Sequence, residues 1–118
     1  MVFTVTDQTF HNLVSSPDNV VVIVGAPSRC PGCVKQHEIM DEFTENVKRN
    51  VGHYPPLYFA NLETNPWIDA NYGQDGVPRA FVFRNGELVF DFIGMFSPFQ
   101  LEELLFLDAD LHAKRESK

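Results

Sequence analysis

Cysteine is scarce in this 118-residue chain: there are two, Cys30 and Cys33, beside a single tryptophan. Two thiols three residues apart cannot form the dispersed framework that staples small secreted domains, so their role is expected to be chemical. Basic charge is also short, with nine Lys and Arg against sixteen Asp and Glu and a formal net charge of -7. That balance gives no attraction to phosphate backbones or anionic lipid, so neither nucleic acid nor membrane is an expected partner. Long apolar runs are missing too. The longest, Val20 to Val24, falls far below the roughly 18 residues that cross a bilayer, and Met1-Val2-Phe3-Thr4 lacks a signal peptide's basic start. A cytoplasmic location is the expectation.

What is present is a core. Hydrophobic residues make up 44% and aromatics 13%, with eleven Phe, which excludes a disordered or fibrous chain. A domain of this size buries roughly two-thirds of its unfolded surface. Residues 1–118 are expected to form a single domain, with 112–118 a frayed charged tail.

The pattern of elements reads β-α-β-α-β-α-β-β-α. Phe3-Thr4-Val5 alternates as a short strand, and Thr6 or Asp7 can cap a helix to about Val14. Val20-Val21-Val22-Ile23-Val24 is a continuous β-branched run, the mark of a central strand covered on both faces. A long helix fits from Pro31 to about Arg49, with Cys33, Met40, Phe43 and Val47 on one inward face. Asn50 to Pro56 reads as a loop and Leu57 to Asn61 as a strand. Asn65 can cap a short helix with Pro66 at its first position and Gly73 at its end. Ala80 to Phe83 and Leu88 to Phe92 flank Asn85-Gly86, a strong hairpin signal. Ser97-Pro98-Phe99-Gln100 is a capping box, with Leu101, Leu104, Leu105 and Leu111 as the buried face behind it. The fold class is α/β, a central mixed sheet flanked by helices on both faces.

Cys30-Pro31-Gly32-Cys33 then sits at a strand-to-helix junction. One helical turn brings the two α-carbons within reach of a disulfide. Cys30, at the helix entrance, meets unpaired N–H groups and the positive end of the dipole, which favour thiolate, and so is the nucleophile. Arg29 adds a modest positive charge beside it. Cys33 lies a turn deeper, placed to attack a mixed disulfide at Cys30. Pro31 suits the first helical position, and Gly32 leaves room for an approaching chain. A metal site needs more ligands than this pair supplies. Of His11, His37, His53 and His112 only His37 falls near on the helix, so no metal is expected. His37 itself reads as a solvated helix residue.

These motifs join a wider pattern. Thr6-Asp7-x-x-Phe10, the valine strand, Cys30 to Cys33, Asn61-Leu62-Glu63, Gly76-Val77-Pro78, Phe83 to Glu87 and Gly94 together resemble the thioredoxin family from Thr6 to Leu111. The resemblance implies a thioredoxin fold and a redox-active Cys30–Cys33 disulfide with no bound cofactor. It further implies a cis bond before Pro78, which faces the cysteines, a Val77 backbone offered to an extended substrate, and Gly94 beside that groove.

The departures are as specific. Val24 and Phe59 stand where the family usually has a buried aspartate and its lysine partner, so deprotonation of Cys33 needs another acceptor. Arg29 and Ala26 replace two tryptophans, Pro31-Gly32 inverts the usual order, and Arg79 replaces a small polar residue. Proline directly after the first cysteine is similar to glutaredoxins, yet their paired glycines and following aspartate are lacking. The expected activity is reduction of disulfide-containing protein substrates by a monomer, recycled by a thioredoxin reductase-like donor or glutathione. A thioredoxin-fold binding module and glutathione-dependent exchange are the alternatives.

Overall fold

The computed structural model describes residues 2–51 and 56–105. Its elements are β1 (Phe3–Thr4), α1 (Phe10–Val14), β2 (Val20–Gly25), α2 (Pro31–Val51), β3 (Leu57–Asn61), α3 (Pro66–Tyr72), β4 (Arg79–Arg84), β5 (Glu87–Ile93) and α4 (Pro98–Leu105). They follow the order expected from the sequence. The five strands form one mixed sheet, β1-β3-β2-β4-β5, with β1 and β2 parallel to β3, and β4 antiparallel to both β2 and β5.

The valine run is the middle strand, and all six residues of β2 are buried. Its two faces feed two cores. Val21 and Ile23 pack with Met40 and Phe43 of α2 and with Leu101, Leu104 and Leu105 of α4. Val20, Val22 and Val24 pack with Phe10 and Val14 of α1 and Ile68 of α3. A strand with apolar side chains on both faces requires this double cover.

Two local signals hold closely. Asn85 and Gly86 take φ of 55° and 80°, the positive pair that a tight hairpin turn needs. At α4 the Ser97 N–H donates to Gln100 Oε1 at 2.8 Å, and the Gln100 N–H donates to Ser97 Oγ at 3.3 Å, a reciprocal capping box.

Three expectations need correction. Neither Thr6 nor Asp7 caps α1: the chain turns at Thr6, whose C=O accepts from the N–H of Thr9 and Phe10, and the α-helix begins only at Phe10. The Asp7 carboxylate serves α3 instead, accepting the N–H groups of Trp67 at 3.0 Å and Ile68 at 2.9 Å. Asn65 precedes α3 but gives it no side-chain cap; its amide accepts the Asp7 N–H at 3.0 Å and donates to the Asn61 C=O at 2.8 Å. Finally, α2 continues through Val51, so Asn50 belongs to the helix and not to the loop. Leu111 and the 112–118 tail lie outside the described residues.

Candidate active site

The β2–α2 connection delivers the cysteines to one end of the sheet. Cys30 and Cys33 are joined in a disulfide with α-carbons 5.2 Å apart. Pro31 is the first residue of α2 and exposed, as suits a residue with no N–H to satisfy. The Cys33 N–H donates to Cys30 Sγ at 3.0 Å and lies 3.0 Å from the Cys30 C=O. Cys30 sulfur therefore shares a donor of the first helical turn with its own carbonyl. It is half-buried, whereas Cys33 is fully enclosed.

Glycines show how tightly each sulfur is surrounded. A Cβ placed on Gly25 would lie 3.0 Å from Cys33 Cβ, 3.0 Å from Phe59 Cζ and 3.1 Å from Cys33 Sγ. Phe59 thus fills the space beside Cys33, while Val24 points into the opposite core. On the outer side, a Cβ on Gly32 would lie 3.6 Å from Met95 Sδ, 3.9 Å from Cys30 Sγ and 3.9 Å from Pro78 Cδ. The space over Gly32 is therefore bounded by Met95, Cys30 and Pro78 together. Half-exposed Met95 escaped the sequence reading because an apolar residue after a strand reads as core.

The Val77–Pro78 bond is cis, and Pro78 is buried. Its C=O accepts the Gly94 N–H at 2.9 Å, which joins the proline loop to the end of β5. Gly94 itself has φ of 117°, a conformation that favours glycine, and a Cβ there would meet nothing within 4 Å. Its outer side is open.

Two further ties brace the site, and neither was visible in the sequence. Gln36 is wholly buried on α2; its Nε2 donates to the Phe96 C=O at 3.1 Å and its Oε1 accepts the Phe96 N–H at 2.6 Å. This fixes the chain just after Met95. Glu63 accepts the Ser28 N–H at 2.9 Å and a very short bond from the Ser28 hydroxyl, pinning the loop before Cys30. The Ser28 hydroxyl bond, then the backbone bond, hold the Glu63 carboxyl below its ordinary pKa, and the charge of Arg29 assists. Arg29 is exposed and shares its field with Glu63, so its influence on Cys30 is smaller than its position alone implies.

His37 is remote from any ligand cluster: its Nδ1 lies 3.3 Å from Asp41 Oδ2 and its ring meets Phe59 edge-on at 5.0 Å. Among the described residues no group of three or more His, Cys, Asp or Glu could hold a metal ion. No helix among them is long and apolar enough to cross a membrane.

A disulfide that opens a helix, with a cis-proline loop beside it, has the geometry of a protein that exchanges thiols for disulfides. Curated relatives agree. The thioredoxin of Allochromatium vinosum is 32% identical over 107 residues, covering 90% of this chain and 94% of that protein. That of Rickettsia typhi is 30% identical over 87 residues, 74% of this chain and 79% of its own length. That of Porphyra purpurea is 28% identical over 101 residues, 86% of this chain and 91% of its own. No protein-family model matches the chain. The chain belongs to the thioredoxin family, and the mixed sheet and four helices of its described residues are that fold. It is a thiol–disulfide oxidoreductase.

Proposed function

We propose that this oxidoreductase reduces protein disulfides through a Cys30/Cys33 dithiol–disulfide cycle. The observation that carries the reading is the inequality of the two sulfurs: Cys30 is half-open and receives the Cys33 N–H, whereas Cys33 is enclosed one turn deeper. Helix N–H donors favour thiolate at Cys30.

The Cys30 thiolate attacks one sulfur of the substrate disulfide, forming a mixed disulfide and expelling the other substrate sulfur as thiolate. Deprotonated Cys33 then attacks Cys30 Sγ, which releases the remaining substrate thiolate and closes Cys30–Cys33. Two electrons pass to the substrate, whose two thiolates take up two protons. Pro31 and Gly32 shape the loop, Arg29 adds a screened positive charge, and Val77, Pro78 and Gly94 line the approach of an extended substrate segment. The Val77 N–H and C=O have no hydrogen-bond partner among the described residues, which supports that role. A thioredoxin reductase-like donor or glutathione returns the dithiol, with no bound cofactor. The reading places this activity in one monomeric domain in a reducing cytoplasm.

The test is insulin disulfide reduction with dithiothreitol as donor. Wild type should accelerate it, Cys30→Ser should not, and pre-reduced Cys33→Ser freed of dithiothreitol should hold substrate as a stable mixed disulfide. Wild type no faster than Cys30→Ser would leave a binding module in place of the reductase.

A further inference from the structure

The residue after the cis-proline is an arginine whose side chain is mostly covered by its partners. Arg79 opens β4 and its side chain is 14% exposed. Its Nε donates to Asp91 Oδ1 at 2.5 Å and its Nη2 to Asp91 Oδ2, a two-pronged fork onto β5. Its Nη1 donates to Asp75 Oδ2 at 2.8 Å, and the guanidinium carbon stands 5.1 Å from the centre of the Phe81 ring. These bonds use the planar fork, which a lysine cannot reproduce. Three guanidinium donors are committed in this way, and the two carboxylates offset its charge.

Its reach is therefore structural, and its position says what it supports. Asp75 lies three residues before Pro78, so the Arg79–Asp75 bond closes the 75–79 segment into a ring, and Asp91 fastens that ring to the sheet. Two other contacts act on the same segment. Gly76 has φ of 118° and lies so near Ile93 that a Cβ would come within 2.9 Å of its Cδ1. The Gly94 N–H holds the Pro78 C=O at 2.9 Å. Between them Val77 carries backbone N–H and C=O groups without partners among the described residues, next to Pro78, whose Cδ and Cys30 Sγ each lie 3.9 Å from where a Cβ on Gly32 would stand.

We propose that Arg79 is a positioning residue: through Asp75 and Asp91 it pre-sets the 75–78 loop so that Val77 can pair with the polypeptide segment flanking a substrate disulfide. The proposal rests on the reductase reading above. Polypeptide disulfides gain from this pre-set loop because an extended segment finds its partners already aligned. Small disulfides, which have no such segment, should be indifferent to it.

Two substrates separate these cases: insulin under steady-state turnover, and a small aromatic disulfide reacting with the pre-reduced protein. For Arg79→Met we expect KM for insulin to rise on the order of fivefold with kcat unchanged, and the small-disulfide rate to stay within about twofold of wild type. Arg79→Lys should recover less than half of that loss. Asp75 is exposed, so Asp75→Ala folds and severs only the tie to the loop; it should raise KM in the same direction. Unchanged KM in both Arg79→Met and Asp75→Ala would overturn the proposal, as would an equal loss on both substrates. A wild type that reacts with the small disulfide but not with insulin would instead overturn the reductase reading.

Discussion

Replacing Gln36 with leucine should cost about 3 kcal/mol of stability and loosen the chain in front of the cysteines. Gln36 is fully buried three residues after Cys33, and its amide meets the Phe96 C=O at 3.1 Å and the Phe96 N–H at 2.6 Å. Leucine fills a similar volume but can neither donate nor accept. Phe96 is 7% exposed, so both of its backbone groups would be left against an apolar side chain. Each buried group stranded in this way costs about 1–3 kcal/mol, and the lower half of that range for two groups gives about 3 kcal/mol. In a domain of this length, Tm should fall by roughly 10 °C or more. Urea denaturation of the oxidised and reduced forms, with m compared between variants, measures the loss directly. A loss below about 1 kcal/mol would refute the claim that this amide ties α2 to the Met95 segment. Gln36→Glu adds a check of sign. Its carboxylate would keep the Phe96 N–H but face the Phe96 C=O without a donor, so the folded state favours the protonated acid. Stability of that variant should be greatest at low pH and fall as pH rises through the raised folded-state value.

Glu63 runs in the opposite direction. Because Ser28 holds its folded pKa below the ordinary glutamate range, its stabilisation is complete above the unfolded value and is lost as pH falls through the lowered folded one. Glu63→Gln should therefore flatten the acid limb of the stability curve; an acid limb identical to wild type would contradict this. Trp67 gives an optical test: its ring neighbours are Phe10, His11 and Tyr72, at 5.5, 4.7 and 6.2 Å between centroids, none of them on the cysteine loop. Reducing Cys30–Cys33 should change its emission little, and a large increase would show that the disulfide quenches it.

What could be read from sequence was local, and what could not was joined across distance. The valine run announces a doubly covered strand because each of its side chains must be buried somewhere. Asn85-Gly86 announces a turn because these residue types accept the positive φ it needs, and Ser97 to Gln100 a cap because its two bonds close within four residues. The cysteine pair belongs to this class, since its spacing and its helix are in one segment. Asp7 does not. Its carboxylate caps a helix some 60 residues on, at Trp67 and Ile68, and nothing in its own neighbourhood distinguishes that use from a cap on α1. The same holds for Gln36 with Phe96 and for Ser28 with Glu63, polar pairs that have no period. Three of the ties that position the candidate site are of this kind, the third being Arg79 with Asp91.

The remaining asymmetry lies between the two sulfurs, and helix geometry produces it. Three residues along an α-helix turn through roughly 300°, enough to bring two side chains within bonding distance while sending them to different surroundings. Cys30 meets a helix N–H and borders the space over Gly32; Cys33 meets Gly25 beside the Phe59 ring. In the proposed cycle the first attack needs only a thiolate that the helix already favours. The second needs a proton to leave a sulfur walled by carbon, with Val24 in the opposite core and His37 turned toward Asp41. The substrate thiolate expelled in the first step is generated at Cys30, one turn from Cys33, and is basic enough to take that proton. In the proposed cycle resolution would then be coupled to capture, because the acceptor for the Cys33 proton arrives only after a substrate disulfide has been opened.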